Sequence, residues 1–480
     1  MTPSHNDKQL TMRRTKIIAT IGPSSSSPEV IRQLVLAGMD VARLNFSHGS
    51  YEDHAKVIKA LRKISAELDK PITILQDLQG PKIRVGILPG GQMELKNGSF
   101  IKLLPEAVYS GSPEEIPIDY PHTAEDAQPG MQVLLDDGLL EMKVTRVEGD
   151  SVICEIIEGG ILKQRKGVNF PNINLKLPSL TEKDKNDLEF GIGHDVDWIS
   201  LSFVRNADDI RELKSLIESQ GITKPVIAKI EKPQAIDHLA EIIEESQGIM
   251  VARGDLGVEM SPERVPLLQK SIIELCNRIG KPVITATQML ESMMHEARPT
   301  RAEASDVANA IIDGTDCIML SGETAAGKFP VKAVEIMSRI ATEVENHIVF
   351  KTYAADGNQD IMALSEATNV IEKIADLHCI VVYTASGRSA RFVAAERPKT
   401  PIYAITTSLN VYHGLNLLWG INPILTSEMS SSFNGLVSLA ERTLIERGIA
   451  STGNKVVIVG GVPAGIPGGT NFIKIHTLGS

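Results

Sequence analysis

The 480-residue sequence has few cysteines, no long apolar run and no excess of basic charge. Its four cysteines are Cys154, Cys276, Cys317 and Cys379, and no two share a Cys-x-x-Cys spacing, so neither a disulfide framework nor a zinc site is predicted. No stretch approaches the roughly 18 apolar residues of a membrane span, and the polar N-terminus lacks the apolar core of a signal peptide. We therefore expect a cytoplasmic protein with no membrane partner.

The charge balance is also informative. The chain carries 49 Lys and Arg against 60 Asp and Glu, a net charge of −11, which disfavours nucleic acid as a partner. Any anionic ligand must therefore be held by local basic residues. The 42% of hydrophobic and 23% of charged residues are typical of a globular chain, and the length suggests about three domains.

Short β-branched apolar runs alternate with stretches of helical periodicity. This alternation is typical of parallel strands buried on both faces, and eight strands close a (β/α)8 barrel. A doubly wound open sheet is the alternative, but no Gly-x-Gly-x-x-Gly follows the first run. The eight runs are residues 17–21, 41–44, 72–75, 198–201, 226–228, 249–251, 283–285 and 317–320.

Two other regions interrupt or follow this pattern. Residues 81–174 contain short alternating segments with hairpin signals at Asn97-Gly98 and Asp137-Gly138, which predict a small all-β lid inserted after the third barrel strand. Residues 351–480 alternate strands at 380–383, 402–406 and 456–459 with helices, which predicts a C-terminal α/β domain. The fold expected is a TIM barrel formed by residues 1–80 and 175–350, with a lid and a C-terminal domain. Helices are predicted over residues 28–37 and 261–279, because Gly38 and Gly280 end the two periodic stretches.

Polar side chains follow nearly every predicted barrel strand, at the end where active sites of this fold lie. Glu231 and Asp255 end neighbouring strands and could bind one Mg²⁺, with water and substrate oxygens completing its shell. Two surface acids at strand ends are the alternative. Lys229 stands two residues from Glu231 and so points to the same side of an extended chain, although a surface lysine remains possible from spacing alone.

Two arginines and a glycine-rich segment complete the rim. Arg43 and Arg84 suit bidentate binding of phosphate or carboxylate. The backbone N–H groups of residues 252–257 can approach an anion closely, particularly if a helix starts there. Together, these groups predict a site for a small, multiply charged phosphorylated acid.

Six ordered segments stand out along the chain. They are RLNFSHG at 43–49, GPKIR at 80–84, IAKIEK at 227–232, MVARGDLG at 250–257, TATQMLES at 285–292 and MLSGETA at 319–325. With these segments the chain resembles the pyruvate kinase family over essentially its whole length. This resemblance implies transfer of a phosphoryl group from phosphoenolpyruvate to ADP, giving pyruvate and ATP, with Mg²⁺ as cofactor. It also implies a mobile lid, a regulatory C-terminal domain and a homotetramer.

Residue roles follow from the same resemblance. Glu231 and Asp255 resemble the Mg²⁺ ligands, and Lys229 resembles the lysine that stabilises charge on the transferring phosphoryl group and the enolate. Arg43 and Arg84 are expected to hold phosphates. His48 and Lys183, with Arg84, resemble nucleotide contacts.

The substrate carboxylate is expected to be held by Thr287 and by a stretch of backbone. Thr287 and Ser321 are expected near the water that protonates the enolate carbon. The backbone groups are those of Ala252, Arg253, Gly254 and Asp255.

The chain departs from the family pattern at the expected monovalent-cation site. Where the pattern reads Asp-Thr-Lys-Gly-Pro-Glu, this sequence reads DLQGPK at residues 77–82, so Lys82 replaces a glutamate. Two cations about 4 Å apart repel by several kcal/mol at an effective dielectric near 20. We therefore expect an enzyme that does not require K⁺, although Lys82 could instead point to solvent. The other groups of this region are Asn45, Ser47, Asp77 and the Leu78 carbonyl.

The C-terminal domain contains a segment, TASGRS at residues 384–389, that resembles the effector-phosphate loop of the family. Family members that bind a bisphosphate have a basic residue for its second phosphate in the region that matches residues 427–440. Here, residues 427–440 contain no basic residue. A sugar monophosphate or AMP is therefore favoured over a bisphosphate, and a loop that only caps a helix is the alternative. The predicted effector contacts are Thr384, Ser386, Gly387, Arg388 and Ser389.

Two other functions compete with phosphoryl transfer. A Mg²⁺-dependent lyase or aldolase acting on enolates would also use paired carboxylates on a barrel rim, but the lid and the two arginines favour phosphoryl transfer. A metabolite sensor that kept only the C-terminal ligand site would be expected to have lost the rim. Lys229, Glu231 and Asp255 are all present, which argues against it.

Overall fold

The structure is a computed structural model that describes residues 12–171, 176–352, 360–463 and 469–480. The polar N-terminal residues 1–11 and the predicted boundary between residues 174 and 175 lie outside these ranges. The other predicted boundaries, at 80/81 and 350/351, fall between named elements. The division of the chain into domains stays a prediction.

Eight parallel strands form a closed barrel in which each strand pairs with its neighbours in sequence. The barrel closes where the first strand pairs with the eighth, with Lys16 opposite Cys317. Nearly every strand residue is buried, because helices cover the outside and side chains fill the inside. The predicted (β/α)8 barrel is confirmed. The strands are Lys16–Thr20, Val41–Asn45, Thr73–Asp77, Trp198–Leu201, Val226–Ile230, Gly248–Ala252, Val283–Ala286 and Cys317–Leu320.

The helices of the barrel show how the sequence sets their ends. Pro28–Ala37 begins after Ser27, whose side chain accepts a hydrogen bond from the Val30 N–H, and ends at Gly38 in the left-handed conformation. The helix predicted over 261–279 is shorter, because a 3₁₀ turn precedes it, and it still ends at Gly280. The α-helices of this part are Pro28–Ala37, Tyr51–Leu68, Glu182–Gly193, Ala207–Ser219, Pro233–Asp237, Leu239–Glu245, Arg253–Glu259, Val265–Ile279, Arg301–Ile312, Gly322–Ala325 and Pro330–His347, with 3₁₀ turns at Pro262–Arg264 and Glu291–Met294.

The inserted segment is built from two small sheets. One predicted hairpin is confirmed, because Leu135 pairs with Leu140 across the turn at Asp137-Gly138. The other is wrong: the chain turns at Asn97-Gly98, but the strands on either side pair with different partners. The two-stranded sheet contains Gln92–Leu95 and Gly160–Lys163, and the six-stranded sheet contains, in spatial order, Val168–Asn169, Gln132–Leu135, Leu140–Glu148, Ser151–Glu158, Phe100–Pro105 and Glu115–Ile118. The insert also has 3₁₀ turns at Pro89–Gly91 and Glu106–Val108 and a short helix at Thr123–Asp126.

The C-terminal part is a five-stranded sheet flanked by helices. The three predicted strands are present, and two strands that the sequence analysis missed lie at its edges. The last strand is antiparallel to its neighbour. The strands are, in spatial order, Ile421–Leu425, Ile402–Thr406, Cys379–Tyr383, Lys455–Gly460 and Phe472–Thr477. The helices are Asp360–Ile374, Arg388–Ala395, Leu409–Gly414 and Phe433–Glu446, with a 3₁₀ turn at Leu415–Leu417.

The C-terminal sheet and the insert contact opposite ends of the barrel. Lys16, at the start of the first strand, donates to the Ile421 carbonyl (2.7 Å), and Trp198, at the start of the fourth, donates to the Gly414 carbonyl (3.0 Å). Asn169 of the insert donates to Glu259 (2.7 Å), in the helix that follows the sixth strand. The strand ends that carry the polar residues therefore face the insert. Within the described residues, no helix is long and apolar enough to cross a membrane.

Candidate active site

A cluster of four charged side chains lies at the C-terminal end of the barrel. The Lys229 Nζ atom is 3.3 Å from Asp77 Oδ1 and 3.0 Å from Glu231 Oε1. Arg43 donates to Asp77 Oδ2 from Nε (2.8 Å) and from Nη2 (2.5 Å). All four residues are buried. Two cations and two anions therefore neutralise one another in a place where an isolated charge would be costly.

The electrostatics of this cluster keep Asp77 and Lys229 charged. Burial alone would raise the pKa of Asp77, but the charges of Lys229 and Arg43 bring that pKa below its ordinary value. Burial would likewise lower the pKa of Lys229, but Asp77 and Glu231 outweigh it and raise the pKa. Lys229 is therefore an ammonium at neutral pH, fixed in position before any substrate arrives.

Glu231 and Asp255 have the donor chemistry that Mg²⁺ prefers. The pKa of Glu231 is raised by burial and, further, by the negative charge of Asp255. A cation between two such carboxylates would relieve this repulsion. Within the described residues no group of three or more metal-ligating side chains occurs, so the remaining ligands would come from water and substrate. The residues present fit the metal.

Lys82 does not point to solvent. Its Nζ atom is 3.2 Å from Asp255 Oδ1 and 3.9 Å from Asp137 Oδ1. Its partners are thus a predicted metal ligand and a lid residue, whereas the cation partners of Asp77 are Arg43 and Lys229. The expectation that Lys82 reaches the Asp77 region is not met by these contacts.

The predicted nucleotide contacts come together around His48. Burial lowers the pKa of His48, and the nearby charges of Arg84, Arg43 and Lys183 lower it further. Lys183 donates to the Phe46 carbonyl and pairs with Asp187, both at 2.6 Å. These cations form a positively charged surface next to the Lys229 cluster, which suits a polyphosphate.

The predicted carboxylate-binding backbone is at the start of a helix, Arg253–Glu259, with Ala252 as its N-cap. The Gly254 N–H donates to Thr287 Oγ1 (2.7 Å), so Thr287 is joined to this backbone directly. Thr287 has a φ of +69°, a strained value for a β-branched residue that is characteristic of functional sites. The Arg253 guanidinium is already engaged, because it pairs with Asp306 (2.7 Å) and donates to the Thr287 carbonyl (2.8 Å). Ser321 directly follows the eighth strand, half-buried, and its N–H donates to Glu323 (2.8 Å).

Comparison with known proteins identifies the family. The model of the pyruvate kinase barrel domain matches residues 12–334, and that of the pyruvate kinase alpha/beta domain matches residues 362–476. The chain belongs to the pyruvate kinase family. It is therefore a phosphotransferase that converts phosphoenolpyruvate to pyruvate.

Individual relatives cover nearly the whole chain. Pyruvate kinase 2 of Synechocystis sp. is 47% identical over 474 residues, which are 97% of this chain and 79% of that protein. A pyruvate kinase of Staphylococcus aureus is 44% identical over 477 residues, 98% of this chain and 81% of that one. The crystal structure of a pyruvate kinase from Cryptosporidium parvum superposes with a TM-score of 0.91 at 35% identity and covers 98% of both chains.

Three groups of the predicted monovalent-cation region have partners within the protein. Asn45 Oδ1 accepts from the Ser47 N–H (3.1 Å), and the Leu78 carbonyl accepts from Ser202 Oγ (2.7 Å). Asp77 is neutralised by two cations, as described above.

The predicted effector loop has its residues in two different surroundings. Gly387, with a φ of +85°, is the N-cap of Arg388–Ala395, and its N–H donates to Thr384 Oγ1 (2.9 Å). Ser389 is buried and shares a hydrogen bond with Thr470 (2.6 Å). Ser386, Gly387 and Arg388 line a cavity between this sheet and the barrel.

Three residues that support the site were not among the predicted contacts. Ser202 accepts from Lys229 Nζ (2.7 Å), the Phe203 N–H donates to Glu231 Oε2 (2.7 Å), and Thr20 accepts from Arg43 Nη1 (3.0 Å). Ser202 and Thr20 stand at the ends of barrel strands, so their position was readable from the sequence. Phe203 acts through its backbone, with a φ of +57°, and no sequence pattern signals that role.

Proposed function

We propose that the Lys229 cluster performs the phosphoryl transfer of this family. The observation that carries the proposal is the Lys229 ammonium held between Asp77 and Glu231 at 3.3 and 3.0 Å. A fixed positive charge in a water-poor site stabilises negative charge that develops in a transition state without any cost of reorganisation. Phosphoryl transfer needs little else from a protein, because it depends on positioning and charge neutralisation.

In this mechanism, Arg43 and Lys229 bind the phosphoryl group of phosphoenolpyruvate, and Arg84, His48 and Lys183 hold the phosphates of ADP. The bond from phosphorus to the enol oxygen breaks as the bond to a terminal ADP oxygen forms. The electron pair left on the enol oxygen gives an enolate, which Lys229 stabilises. Glu231 and Asp255 would hold Mg²⁺, which supplies further neutralisation of the substrate oxygens when bound.

Thr287 completes the site on the carboxylate side. The backbone of residues 252–255 and the Thr287 hydroxyl orient the substrate carboxylate, supported by the Gly254–Thr287 hydrogen bond. Thr287 and Ser321 hold the water that gives a proton to the enolate carbon, which yields pyruvate, and the hydroxide left behind takes up a proton from the solvent. A coupled assay of pyruvate formation with phosphoenolpyruvate, ADP and Mg²⁺ tests the reaction, and omission of any one component should abolish the signal.

Independence of K⁺ is proposed for the same site. Its support is that Asp77, Asn45 and the Leu78 carbonyl already have partners, and that Lys82 adds a positive charge where the family pattern has a carboxylate. Because Lys82 contacts Asp255 and not Asp77, it disfavours K⁺ binding through the positive charge that it adds to the rim. We expect full activity in a buffer with tetramethylammonium as the monovalent cation. K⁺ dependence should appear in Lys82→Glu with Leu78→Thr; a wild type that is nearly inactive until K⁺ is added contradicts the proposal.

Regulation by a phosphorylated metabolite is proposed for the loop 384–389. The Ser386 hydroxyl and the backbone N–H groups at the start of the helix Arg388–Ala395 offer donors for one phosphate. A single phosphate is favoured because residues 427–440, which include Ser430–Ser432, contain no basic residue. Arg442 lies beyond them and pairs with Glu428. AMP or glucose 6-phosphate should therefore lower the KM for phosphoenolpyruvate, whereas strong activation by fructose bisphosphate alone contradicts this choice.

The family also leads us to propose a homotetramer in the cytoplasm. Light scattering coupled to gel filtration measures the assembly directly. A monomer as the active species contradicts the first part of this proposal.

A further inference from the structure

A largely buried ion pair connects the two chain segments that carry the predicted Mg²⁺ ligands. Lys232 directly follows Glu231 in the chain. Glu259 lies one helical turn after Asp255, at the end of the helix Arg253–Glu259. The Lys232 ammonium donates to Glu259 Oε1 and so joins these two segments.

Further contacts extend from both members of this pair. The Glu259 side chain is 1% exposed, and its Oε1 atom also accepts a hydrogen bond from Asn169 of the insert (2.7 Å). The Lys232 ammonium lies 5.7 Å from the centre of the Phe203 ring, and the Phe203 N–H donates to Glu231 Oε2 (2.7 Å). One connected set of contacts therefore extends from the Glu231 carboxylate to the insert.

Stability alone does not account for this ion pair. A buried ion pair adds little net stability, because the desolvation of its two charges offsets their attraction. Glu259 also ends its helix, where the negative end of the helix dipole disfavours a carboxylate. What the pair does provide is geometry, since a charge-assisted hydrogen bond has a narrow range of lengths and directions. The end of the helix Arg253–Glu259 is thus held against the segment that follows the fifth barrel strand.

The partner of Asp255 differs from the Lys232–Glu259 pair in what metal binding would do to it. Lys82 Nζ is 3.2 Å from Asp255 Oδ1, and a cation that binds this carboxylate would replace Lys82 as its partner. The contact between Lys232 and Glu259 includes neither of the two predicted ligands. It can therefore hold the helix in place while a metal ion enters and leaves.

We propose that Glu259 is a positioning residue for the divalent metal, and that its contact with Lys232 holds Asp255 at the distance from Glu231 that a shared cation needs. This inference rests on the proposed role of Glu231 and Asp255 as Mg²⁺ ligands. Neither Glu259 nor Lys232 is itself a ligand. Replacing a residue that orients metal ligands typically costs ~10–100-fold in metal affinity.

Direct binding of Mn²⁺ to the full chain tests the proposal without any assay of turnover. The signal is the electron paramagnetic resonance of the free ion, which disappears as Mn²⁺ binds. Glu231→Gln identifies the site, because this change should weaken or abolish the binding of one Mn²⁺ per chain. Glu259→Gln and Lys232→Met should each weaken the same binding about tenfold or more. Either variant suffices if the other fails to fold.

The two variants also separate positioning from an effect of charge alone. Glu259→Gln removes a negative charge near the site and Lys232→Met removes a positive one, so charge alone would weaken Mn²⁺ binding in the first and strengthen it in the second. Positioning weakens binding in both. It also predicts that the double variant binds Mn²⁺ about as weakly as each single variant, because both changes break the same contact. Charge alone would return the double variant to the affinity of the wild type.

Glu245→Gln is the matched control for a loss of stability. Glu245 pairs with Lys214 (2.6 Å) and ends the helix before the sixth strand, at the other end of the barrel. Its replacement should leave Mn²⁺ affinity within about twofold, whatever its effect on Tm. Unchanged Mn²⁺ affinity in Glu259→Gln, or tighter binding in Lys232→Met, overturns the proposal but leaves the metal ligands as assigned. If Glu231→Gln binds Mn²⁺ as the wild type does, the assignment of the ligands is wrong, and this inference is wrong with it.

Discussion

Replacing Lys229 by Met separates catalysis from binding most directly. Met keeps most of the length of the unbranched side chain and removes its charge, so the enolate and the transferring phosphoryl group lose their fixed positive partner. Loss of one preorganised electrostatic group costs about 10²-fold or more in kcat, which is ~2.7 kcal/mol of transition-state stabilisation. The KM for phosphoenolpyruvate should change much less, because Arg43 still meets the phosphate.

The same change has a calculable effect on stability. Removing one partner of a buried ion pair typically costs ~3–5 kcal/mol. We expect a smaller loss here, because Asp77 keeps both hydrogen bonds from Arg43, and Glu231, whose pKa is already raised by burial, can take up a proton. The variant should therefore fold, with a lower Tm, and remain assayable.

Steady-state kinetics of Lys229→Met and of a matched control, Lys214→Met, decide the matter. Lys214, which is half-buried, is likewise in an ion pair, with Glu245 (2.6 Å), but it is distant from the rim. Its replacement should leave kcat within about twofold in the absence of effectors. A Lys229→Met enzyme with normal kcat and only a raised KM would refute the electrostatic role.

Two further predictions concern the metal ligands and a buried histidine. Glu231→Gln and Asp255→Asn should each raise the Mg²⁺ concentration needed for half-maximal activity about tenfold or more, because each removes one anionic ligand; a Mg²⁺ titration that coincides with that of the wild type contradicts the assignment. Burial lowers the pKa of His413 to about 4, so the unfolded chain binds the extra proton between pH 6.5 and about 4 and stability falls as the pH decreases through that window. His413→Gln lacks this ionisable group, so the Tm of the wild type should fall by more than the Tm of the variant between pH 7 and pH 5. Equal decreases in the two Tm values would show that His413 does not titrate as described.

The barrel was predictable because its strands are buried on both faces and so appear as short, uninterrupted apolar runs between helices. The same logic located Lys229, Glu231 and Asp255, since residues that end such strands must meet at one rim. The pairing of strands in the insert was not predictable. The Asn97-Gly98 dipeptide indicates that the chain turns, but it does not indicate which strand pairs with Gln92–Leu95.

The direction in which long side chains point could not be predicted from the sequence either. Arg253 was predicted to contact substrate, but its guanidinium is already bound by Asp306 and by the Thr287 carbonyl. Lys82 contacts Asp255, although its position in the family pattern suggests the Asp77 region. Both are long, flexible cations whose partners depend on tertiary contacts. A backbone donor such as the Phe203 N–H cannot be recognised from the pattern of side-chain types in the sequence.

The first barrel strand, Lys16–Thr20, links the two ends of the barrel over a short distance. Its first residue bonds the C-terminal sheet through the Ile421 carbonyl, and its last accepts a hydrogen bond from Arg43. Five residues of strand span about 13 Å from first to last Cα. A displacement of the C-terminal sheet that pulls on Lys16 therefore acts on a stiff segment whose far end contacts Arg43, the arginine that we propose to bind a phosphate. Under the proposed regulation, a sequence change at Lys16 should alter the response of turnover to an effector without removing any group of the Lys229 cluster.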